Sequence, residues 1–525
     1  MVDSGMGSGG AGESIAAGEP FFWGVASSGY QCEGGYNGPG EPENNWVHAE
    51  REGNVMVSGR ATDFWNRYPE DLDVCRRLGL NAFRLSIEWA RVQPGSLRDE
   101  GGPEPAFDAA AISGYANLVA ACRVRGLEPV VTLQHFTHPA WLGLDAWLDD
   151  ATPARFEGFV RYVMGCVNEE LTERHGQQPV KWMVTLNEPN MLVLNTYLNR
   201  HFPGKGGTGM AVGVRAYNRL LAAHVRAYNA LHDLYESRGW PPPSVTMNTF
   251  CSDVYWSENM LLDLLESRHR GVQARELGDF FVDSSRQLRK ALLDAKLPFP
   301  SDPFVWAGRI VHWVTDRLAP RHANGQTFQF LLAEIERSPR SSFLDYLGLD
   351  YYDPFIGHIL RAPSFEDLEF PSRSPTGYLM NGLSRKWWDW NVLAEGLHFF
   401  VSYYSRRYGG RGVLIAENGM AQRCKQDGSF CSPRRDRLTR SQFLEAHVGQ
   451  VMKLRREGVP LLGYLHWSIT DNYEWGSYTP RFGLVHIDYT RNAKRCLEDP
   501  LGDCPTKTYA RLVAAARAEF SREDS

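Results

Sequence analysis

Short apolar stretches of β character alternate with long amphipathic segments along most of the chain. Between the β-like stretches, apolar residues recur at intervals of three and four, which indicates helices. This alternation predicts parallel strands joined by crossover helices. Eight strands are predicted, at residues 22–26, 82–86, 129–133, 182–186, 244–248, 346–350, 412–416 and 462–467.

The clearest helical pattern lies at residues 153–174, where Phe156, Phe159, Val160 and Val163 fall on one face. A proline at the start of this segment, Pro153, suits the first turn of a helix. Further helices of the same kind are predicted at residues 63–78, 212–237 and 440–456.

Eight strand–helix units in succession fit a closed (β/α)8 TIM barrel better than an open sheet. The chain has 525 residues, and a bare barrel needs only about 250, so long loops are expected. We predict one α/β domain over residues 19–522. Its largest insertion lies at about 251–342 and holds helices at 261–266, 280–297 and 328–337.

Residues 1–18 are rich in glycine, serine and alanine and lack a basic start and an apolar core. They do not form a secretory signal, and no strand precedes their glycines as a phosphate loop requires. We predict a disordered tail.

Nearly every predicted strand ends in polar or aromatic residues. In a barrel these ends converge on one face, where the active site lies. The residues concerned are Gln31 and Glu33, Arg84, His135, Asn187 and Glu188, Asn248, Asp350 to Tyr352, Glu417 and Asn418, and His466 and Trp467.

Two of these strand ends carry the strongest chemical signal. Residues 185–189 read TLNEP and residues 415–419 read IAENG, so each apolar run ends in one glutamate, Glu188 or Glu417. Burial can raise the pKa of one carboxyl group while a neighbouring group leaves another ionised. Glycosidic bond cleavage needs two such carboxyl groups, ~5 Å apart for a retaining mechanism and ~6.5–9.5 Å apart for an inverting one.

Charge and composition exclude some classes of binding partner. A net charge of −6 gives no basic footprint for nucleic acid and no polybasic patch for a membrane. No segment offers the ~18 uninterrupted apolar residues of a membrane span. The nine cysteines form no CxxC pair and no export signal is seen, so we expect a reducing, cytoplasmic location. The sequence does not decide whether Cys424 is bridged to Cys431 or Cys496 to Cys504. It also does not decide whether the protein forms a homo-oligomer.

The motifs and their order resemble glycoside hydrolase family 1, the β-glucosidase and β-galactosidase family. The resemblance runs from FWGVA at residues 22–26 to RFGLVHIDY at residues 481–489, nearly the whole chain. His466 and Asn190 are similar to residues of the archaeal-type branch. The resemblance implies a (β/α)8 barrel and a retaining double displacement that needs no cofactor and no metal.

By this resemblance, Glu188 is expected to be the general acid/base and Glu417 the nucleophile. Asn187 is expected to contact the sugar 2-hydroxyl, and Arg84 and Tyr352 to keep the nucleophile ionised and oriented. The resemblance further implies substrate-binding roles for Gln31, His135, Trp390, Trp467, Glu474, Trp475 and Phe482. Trp390 matches an aglycone-side tryptophan. The match at Phe482 is less secure, because the loop at 476–480 is one residue shorter.

Two departures from the family pattern stand out. Asp350 occupies the position of an asparagine, and Cys32 that of an isoleucine. Asp350 adds a third acid near the nucleophile; it either raises the pKa of Glu417 or is turned away.

The expected activity is that of a retaining exo-β-glycosidase acting on a small β-glycoside or oligosaccharide. We expect a β-glucosidase, with β-galactosidase or β-fucosidase activity beside it. The alternatives are a phospho-β-glycosidase, a transglycosylase and a non-catalytic sugar-binding protein. The carboxylate of Glu474 should repel a 6-phosphate, which disfavours the first. The presence of both glutamates disfavours the last.

Overall fold

The computed structural model describes residues 20–97, 104–200, 203–204, 206–298, 305–358, 361, 383, 387–425 and 430–520. The predicted tail, residues 1–18, lies outside the described residues, as do both ends of the predicted domain. Those domain bounds therefore stay a prediction.

Eight parallel strands close into a barrel, which confirms the predicted (β/α)8 fold. Each strand pairs with the next along the chain, and the last pairs with the first, with His466 opposite Val25. The barrel strands are β1 Phe22–Ala26, β2 Ala82–Ser86, β3 Glu128–Thr132, β4 Trp182–Asn187, β5 Ser244–Phe250, β6 Leu347–Tyr351, β7 Val413–Asn418 and β8 Leu461–Trp467.

The first two strands have the predicted bounds, and the ends of the other six differ by at most two residues. The difference matters in β7. This strand continues to Asn418 because Glu417 and Asn418 pair with Asp350 and Tyr351 of β6. Glu417 is therefore held inside the sheet, and its backbone position is fixed by strand pairing.

In the described part of the chain, each strand is followed by a helix that covers the outside of the barrel. These helices are Phe64–Arg77, Ala109–Val124, Thr152–Glu173, Met210–Arg238, Gln329–Arg337, Ala394–Arg407, Arg440–Arg456 and Pro505–Phe520. Short helices lie in the loops after β1, β2 and β4, at Gly29–Cys32, Val47–Arg51, Trp89–Val92 and Pro189–Val193, and the last continues as a π-helix, Leu194–Arg200.

The insertion between β5 and β6 adds three helices, Asn259–Leu265, Leu277–Asp294 and Val305–Leu318. The third was not predicted. Ile310 and Trp313 are half exposed on it.

The barrel interior is a packed core that forms a floor beneath the carboxyl ends of the strands. Large side chains fill it, with Trp182 in edge-to-face contact with Phe22 and Tyr346. Its buried members are Phe22, Ala82, Val130, Trp182, Val184, Tyr346, Leu414, Ala416, Leu462 and Leu465.

The cysteines divide into one bridged pair and free thiols. Cys424 and Cys431 face each other across a short antiparallel pair of strands and form a disulfide. Cys496 and Cys504 are free. None of the described helices is long and apolar enough to cross a membrane.

Candidate active site

A fully buried arginine organises the carboxyl end of the barrel. Arg84 lies in β2, and its Nη1 donates to Glu417 Oε1 at 2.8 Å and to the carbonyl oxygen of Ala416 at 3.2 Å. Its Nε donates to Thr132 Oγ1 at 2.9 Å, and its Nη2 donates to Asn187 Oδ1. These bonds fix the guanidinium against three other barrel strands, β3, β4 and β7, so the position of the Glu417 carboxylate is fixed as well.

Both oxygens of Glu417 have donors. Arg84 holds Oε1, and the hydroxyl of Tyr352 donates to Oε2 at 2.8 Å. Burial raises the pKa of Glu417, while the charge of Arg84 and the hydroxyl of Tyr352 act against that rise. An oriented, charge-compensated carboxylate of this kind is suited to nucleophilic attack.

Glu188 follows β4 directly and adopts a left-handed backbone with φ of 41°. Residues with a side chain rarely adopt this region, and strained positions of this kind cluster at functional sites. The Glu188 N–H donates to the carbonyl oxygen of Asn248 at 3.0 Å. Burial raises the pKa of the Glu188 carboxyl group well above its ordinary value, and the charges of Asp350 and Glu417 add to the rise. A carboxyl group that keeps its proton near neutral pH can act as a general acid.

The two glutamates and Asp350 form a compact group, the carboxyl trio. One oxygen from each of the three residues lies within 4.8 Å of the others. Carboxyl groups ~5 Å apart are typical of retaining glycosidases, whereas inverting ones keep them ~6.5–9.5 Å apart to leave room for a water.

Asp350 points into the site and is not turned away. It lies in β6, is fully buried, and accepts a hydrogen bond from the side-chain amide of Asn248. Its Oδ1 is 4.0 Å from Arg84 Nη1. Burial raises the pKa of Asp350 well above its ordinary value, and the charge of Glu417 contributes.

Four of the predicted sugar-binding residues meet beside the trio. Glu474 accepts hydrogen bonds from Gln31 Nε2 at 3.0 Å and from Trp467 Nε1 at 2.8 Å. Burial raises the pKa of Glu474 to about 8, and the charge of Glu417 contributes. The ring of His135 stacks on Trp467 with centroids 5.5 Å apart. This side of the site combines hydroxyl-binding groups with an aromatic surface.

Trp475 lies at the edge of this group. Gln31, His135 and Trp475 line one small cavity. The Trp475 ring packs 4.4 Å from Phe136 and 5.8 Å from Trp46, measured between centroids.

The predicted aglycone side is aromatic. The rings of Trp390 and Phe482 lie 5.9 Å and 6.0 Å from the ring of Tyr352, between centroids. Phe482 is thus brought to the site despite the shorter loop before it.

Sequence reasoning left two residues of the site without a role. The amide of Asn248 donates to Asn187 Oδ1 at 2.8 Å and to Asp350, and so connects the two. Its position at the end of a predicted strand marked it as a candidate site residue, but the sequence did not indicate which residues it contacts. Phe250 stacks on Tyr352 at 5.7 Å; the predicted end of its strand at residue 248 hid it.

Comparisons with known proteins agree with this geometry. The family model described as glycosyl hydrolase family 1 matches residues 16–500. Beta-glucosidase A of Thermotoga maritima is 26% identical over 493 residues, which cover 92% of this chain and 95% of that protein. The furostanol glycoside 26-O-beta-glucosidase of Hellenia speciosa is 28% identical, over 91% of this chain and 80% of that protein. The 6-phospho-beta-galactosidase of Clostridium acetobutylicum is 26% identical, over 90% of this chain and 93% of that protein.

Solved structures share the fold. The structure described as a family 1 b-glucosidase from Thermotoga maritima has a TM-score of 0.64 and 22% sequence identity, and the match covers 94% of this chain and 97% of that chain.

Proposed function

The chain belongs to glycosyl hydrolase family 1, and on that premise we propose that Glu188 and Glu417 are the acid/base and the nucleophile of a retaining exo-β-glucosidase. The protein is a glycosidase that hydrolyses O-glycosyl bonds. One observation carries the assignment of the two residues: their carboxyl oxygens lie within 4.8 Å at the ends of β4 and β7.

In the first step the Glu417 carboxylate attacks the anomeric carbon while Glu188 gives its proton to the glycosidic oxygen. The bond from the anomeric carbon to that oxygen breaks, and a glycosyl ester of Glu417 forms. Arg84 and Tyr352 hold the two Glu417 oxygens so that attack needs no reorientation.

In the second step the ester has removed the charge of Glu417. One cause of the raised pKa of Glu188 is then gone, so Glu188 stays ionised after giving up its proton and is available as the general base toward water. The water oxygen attacks the anomeric carbon from the side that the aglycone left, and the bond from that carbon to the Glu417 oxygen breaks. The Glu417 carboxylate is restored, and two inversions give retention.

Asn187 is placed to bind the sugar 2-hydroxyl. Its Oδ1 accepts from Arg84 and Asn248, which orients the amide. Its Nδ2 is buried and meets no acceptor among the described residues. A buried donor in this state gains a hydrogen bond when substrate binds, because an unpaired polar group is otherwise costly.

The contacts of Glu474 favour a substrate sugar that carries no phosphate. Its carboxyl group accepts from Gln31 and Trp467 and has lone pairs left for sugar hydroxyl groups. Once ionised, above its pKa of about 8, it would also repel a phosphate. One relative is nevertheless named a 6-phospho-beta-galactosidase, so the substrate class has to be tested directly. Glucose as the preferred sugar rests on the names of the other relatives.

Location remains a prediction. The Cys424–Cys431 disulfide is more typical of oxidising compartments than of the cytoplasm, which weighs against the predicted cytoplasmic place.

A panel of nitrophenyl glycosides tests the function. It contains the β-glucoside, β-galactoside, β-fucoside, β-mannoside, the two 6-phospho-β-glycosides and the α-glucoside. We expect the highest kcat/KM on the unphosphorylated β-glucoside. Proton NMR of the first product should show the β-anomer. The Glu417→Ala protein, purified in parallel, measures contaminating activity.

Each other result favours one alternative. Turnover of phosphorylated glycosides alone makes the protein a phospho-β-glycosidase, and a first-formed α-anomer contradicts retention. Sugar binding without turnover makes it a non-catalytic family member. Products that lengthen as acceptor sugar is added indicate a transglycosylase.

A further inference from the structure

Two oxygens of the carboxyl trio are buried and receive no donor from the described residues around them, namely Glu188 Oε1 and Asp350 Oδ1. One carboxyl oxygen of each side chain lies within 4.8 Å of a carboxyl oxygen of the other, a spacing that a hydrogen bond would close. Two ionised carboxylates cannot make that bond, because each offers acceptors only. A hydrogen bond between them requires a proton on one of the two.

The charges around the pair lead to the same requirement. The trio would carry three negative charges, and the cation in direct contact with it is Arg84. Arg84 Nη1 lies 2.8 Å from Glu417 but 4.0 Å from Asp350, so the guanidinium compensates Glu417 first. A buried charge without a partner is strongly unfavourable, and protonation is the usual way to remove it.

The other neighbours do not supply a charge. Asn248 donates an amide proton to Asp350 Oδ2, Tyr352 donates its hydroxyl to Glu417, and burial raises the pKa of Cys251 so that its thiol stays neutral. Glu188, Asp350, Glu417, Arg84, Tyr352 and Cys251 are therefore the titratable and charged groups that face the pair.

We propose that Asp350 is a positioning residue that shares one proton with Glu188 through Asp350 Oδ1 and Glu188 Oε1, and that this sets the pH up to which Glu188 can act as the acid. The inference rests on the proposed role of Glu188 and deepens it. It concerns a residue at which this chain differs from the family pattern.

The shared proton also keeps the charge of the site constant through the first step. Before that step Glu417 carries one negative charge and the pair carries another. Afterwards Glu417 is a neutral ester, and the pair, having given its proton to the leaving oxygen, carries two. The doubled charge makes Glu188 a stronger base for the water that attacks next.

A divalent cation is the rival occupant, since three carboxyl oxygens this close could ligate one. Arg84 argues against it, because the guanidinium already lies against two of the three carboxyl groups and would repel a second cation.

The first test is the pH dependence of kcat/KM in the Asp350→Asn protein. Asparagine has the same shape and no charge, and its amide can donate to an ionised Glu188. We expect the basic limb of the pH profile to move to lower pH by about one unit, which is about a tenfold loss of kcat/KM at pH values above both midpoints. Coincident basic limbs in the two proteins would overturn the proposal.

Glu258→Gln is the matched control. Glu258 is another buried carboxyl group, with its pKa raised by burial to about 7, and its oxygens accept from Thr249 and Tyr404. It is not among the groups that face Glu188, so the basic limb should stay in place. An equal shift in the control would show that the limb reports burial in general, against the proposal.

A second readout does not need turnover. Infrared difference spectra of wild type minus Asp350→Asn should show a carboxylic-acid carbonyl band at neutral pH that disappears on alkalinisation. A protein without any glycosidase activity would refute the proposed function and still allow this measurement. No such band, or a band abolished by added Mg²⁺ or Mn²⁺, would overturn the proposal. If Asp350→Asn does not fold, Glu188→Gln removes the other partner and should delete the same band.

Discussion

Two groups of buried acids in this barrel differ in how their oxygens are satisfied. In the carboxyl trio, Glu188 and Asp350 each keep an oxygen without a donor from the surrounding described residues. In the insertion after β5, Asp263 is equally buried, but Tyr255 donates to its Oδ2 at 2.8 Å and Tyr408 to its Oδ1 at 3.0 Å. The guanidinium of Arg407 donates to Oδ2 as well.

The number of donors around each carboxyl group distinguishes an acid that stabilises the fold from one that takes part in the reaction. The donors around Asp263 come from different elements, so its carboxylate ties the insertion to the helix Ala394–Arg407 and to Tyr408 beyond it. The trio instead holds acceptors that are satisfied only by protons or substrate. Proteins tolerate such local cost at functional sites and make up for it elsewhere. Burial of a carboxyl group therefore says little about function until its donors are counted.

The largest expected effect comes from Glu417→Ala. This change should reduce turnover of nitrophenyl β-glucoside by about 10⁴-fold or more, because no covalent intermediate can form. Added azide or formate should restore part of the activity, since a small anion can enter the space beside Arg84. Steady-state rates with and without the anion measure both effects. Activity within tenfold of wild type would mean that the nucleophile lies elsewhere.

Glu188→Gln should have a large effect that depends on the substrate. Loss of general acid catalysis costs about 10²–10⁴-fold, and the loss should fall mainly on alkyl glucosides, whose leaving groups need a proton. A dinitrophenyl glucoside needs little assistance, so the burst that reports its first step should be nearly unchanged. Equal losses on both substrates would argue that the substitution disturbs binding rather than proton transfer.

Features of this contrast that depend on residues close together in the sequence could be predicted. Features that depend on contacts between distant segments could not. The strands follow from local apolar runs, and the convergence of Arg84, Glu188 and Glu417 follows from barrel topology. The structure was needed for the orientation of Asp350, which depends on the Asn248 amide from a neighbouring strand. Similarly, only packing places Phe250 against Tyr352. Contacts between segments far apart in sequence leave no mark in a local pattern.

Asp263→Asn should act on stability and leave catalysis intact. Asparagine cannot accept from Tyr255, Tyr408 and Arg407 as the carboxylate does, and a buried guanidinium loses its counter-charge. Breaking a buried pair in this way costs about 3–5 kcal/mol, which denaturant unfolding would detect. The kcat/KM per folded molecule should not change. Asp350→Asn should do the opposite: it should move the basic limb of the pH profile and lower the free energy of unfolding much less. Equal destabilisation by the two changes would remove the distinction between Asp263 and the carboxyl trio.

The smallest expected effect per pH unit is a change in how stability depends on pH, through Glu474. Its pKa rises by burial from an ordinary 4.5 to about 8 in the folded protein. The stability linked to its proton is therefore fully present below about pH 4.5 and is lost as the pH rises through 8, by at most about 1.4 kcal/mol per pH unit.

Glu474→Gln removes this titration, so its unfolding free energy should fall less steeply between pH 5 and 8 than that of wild type. Gln31 can adapt to the new amide, because its Oε1 is unpartnered among the described residues. Glu445→Gln, at an exposed glutamate paired with Arg511, should leave the slope unchanged. If the slope of Glu474→Gln also matches that of wild type, Glu474 is ionised throughout, and it then belongs with Asp263 among the satisfied acids.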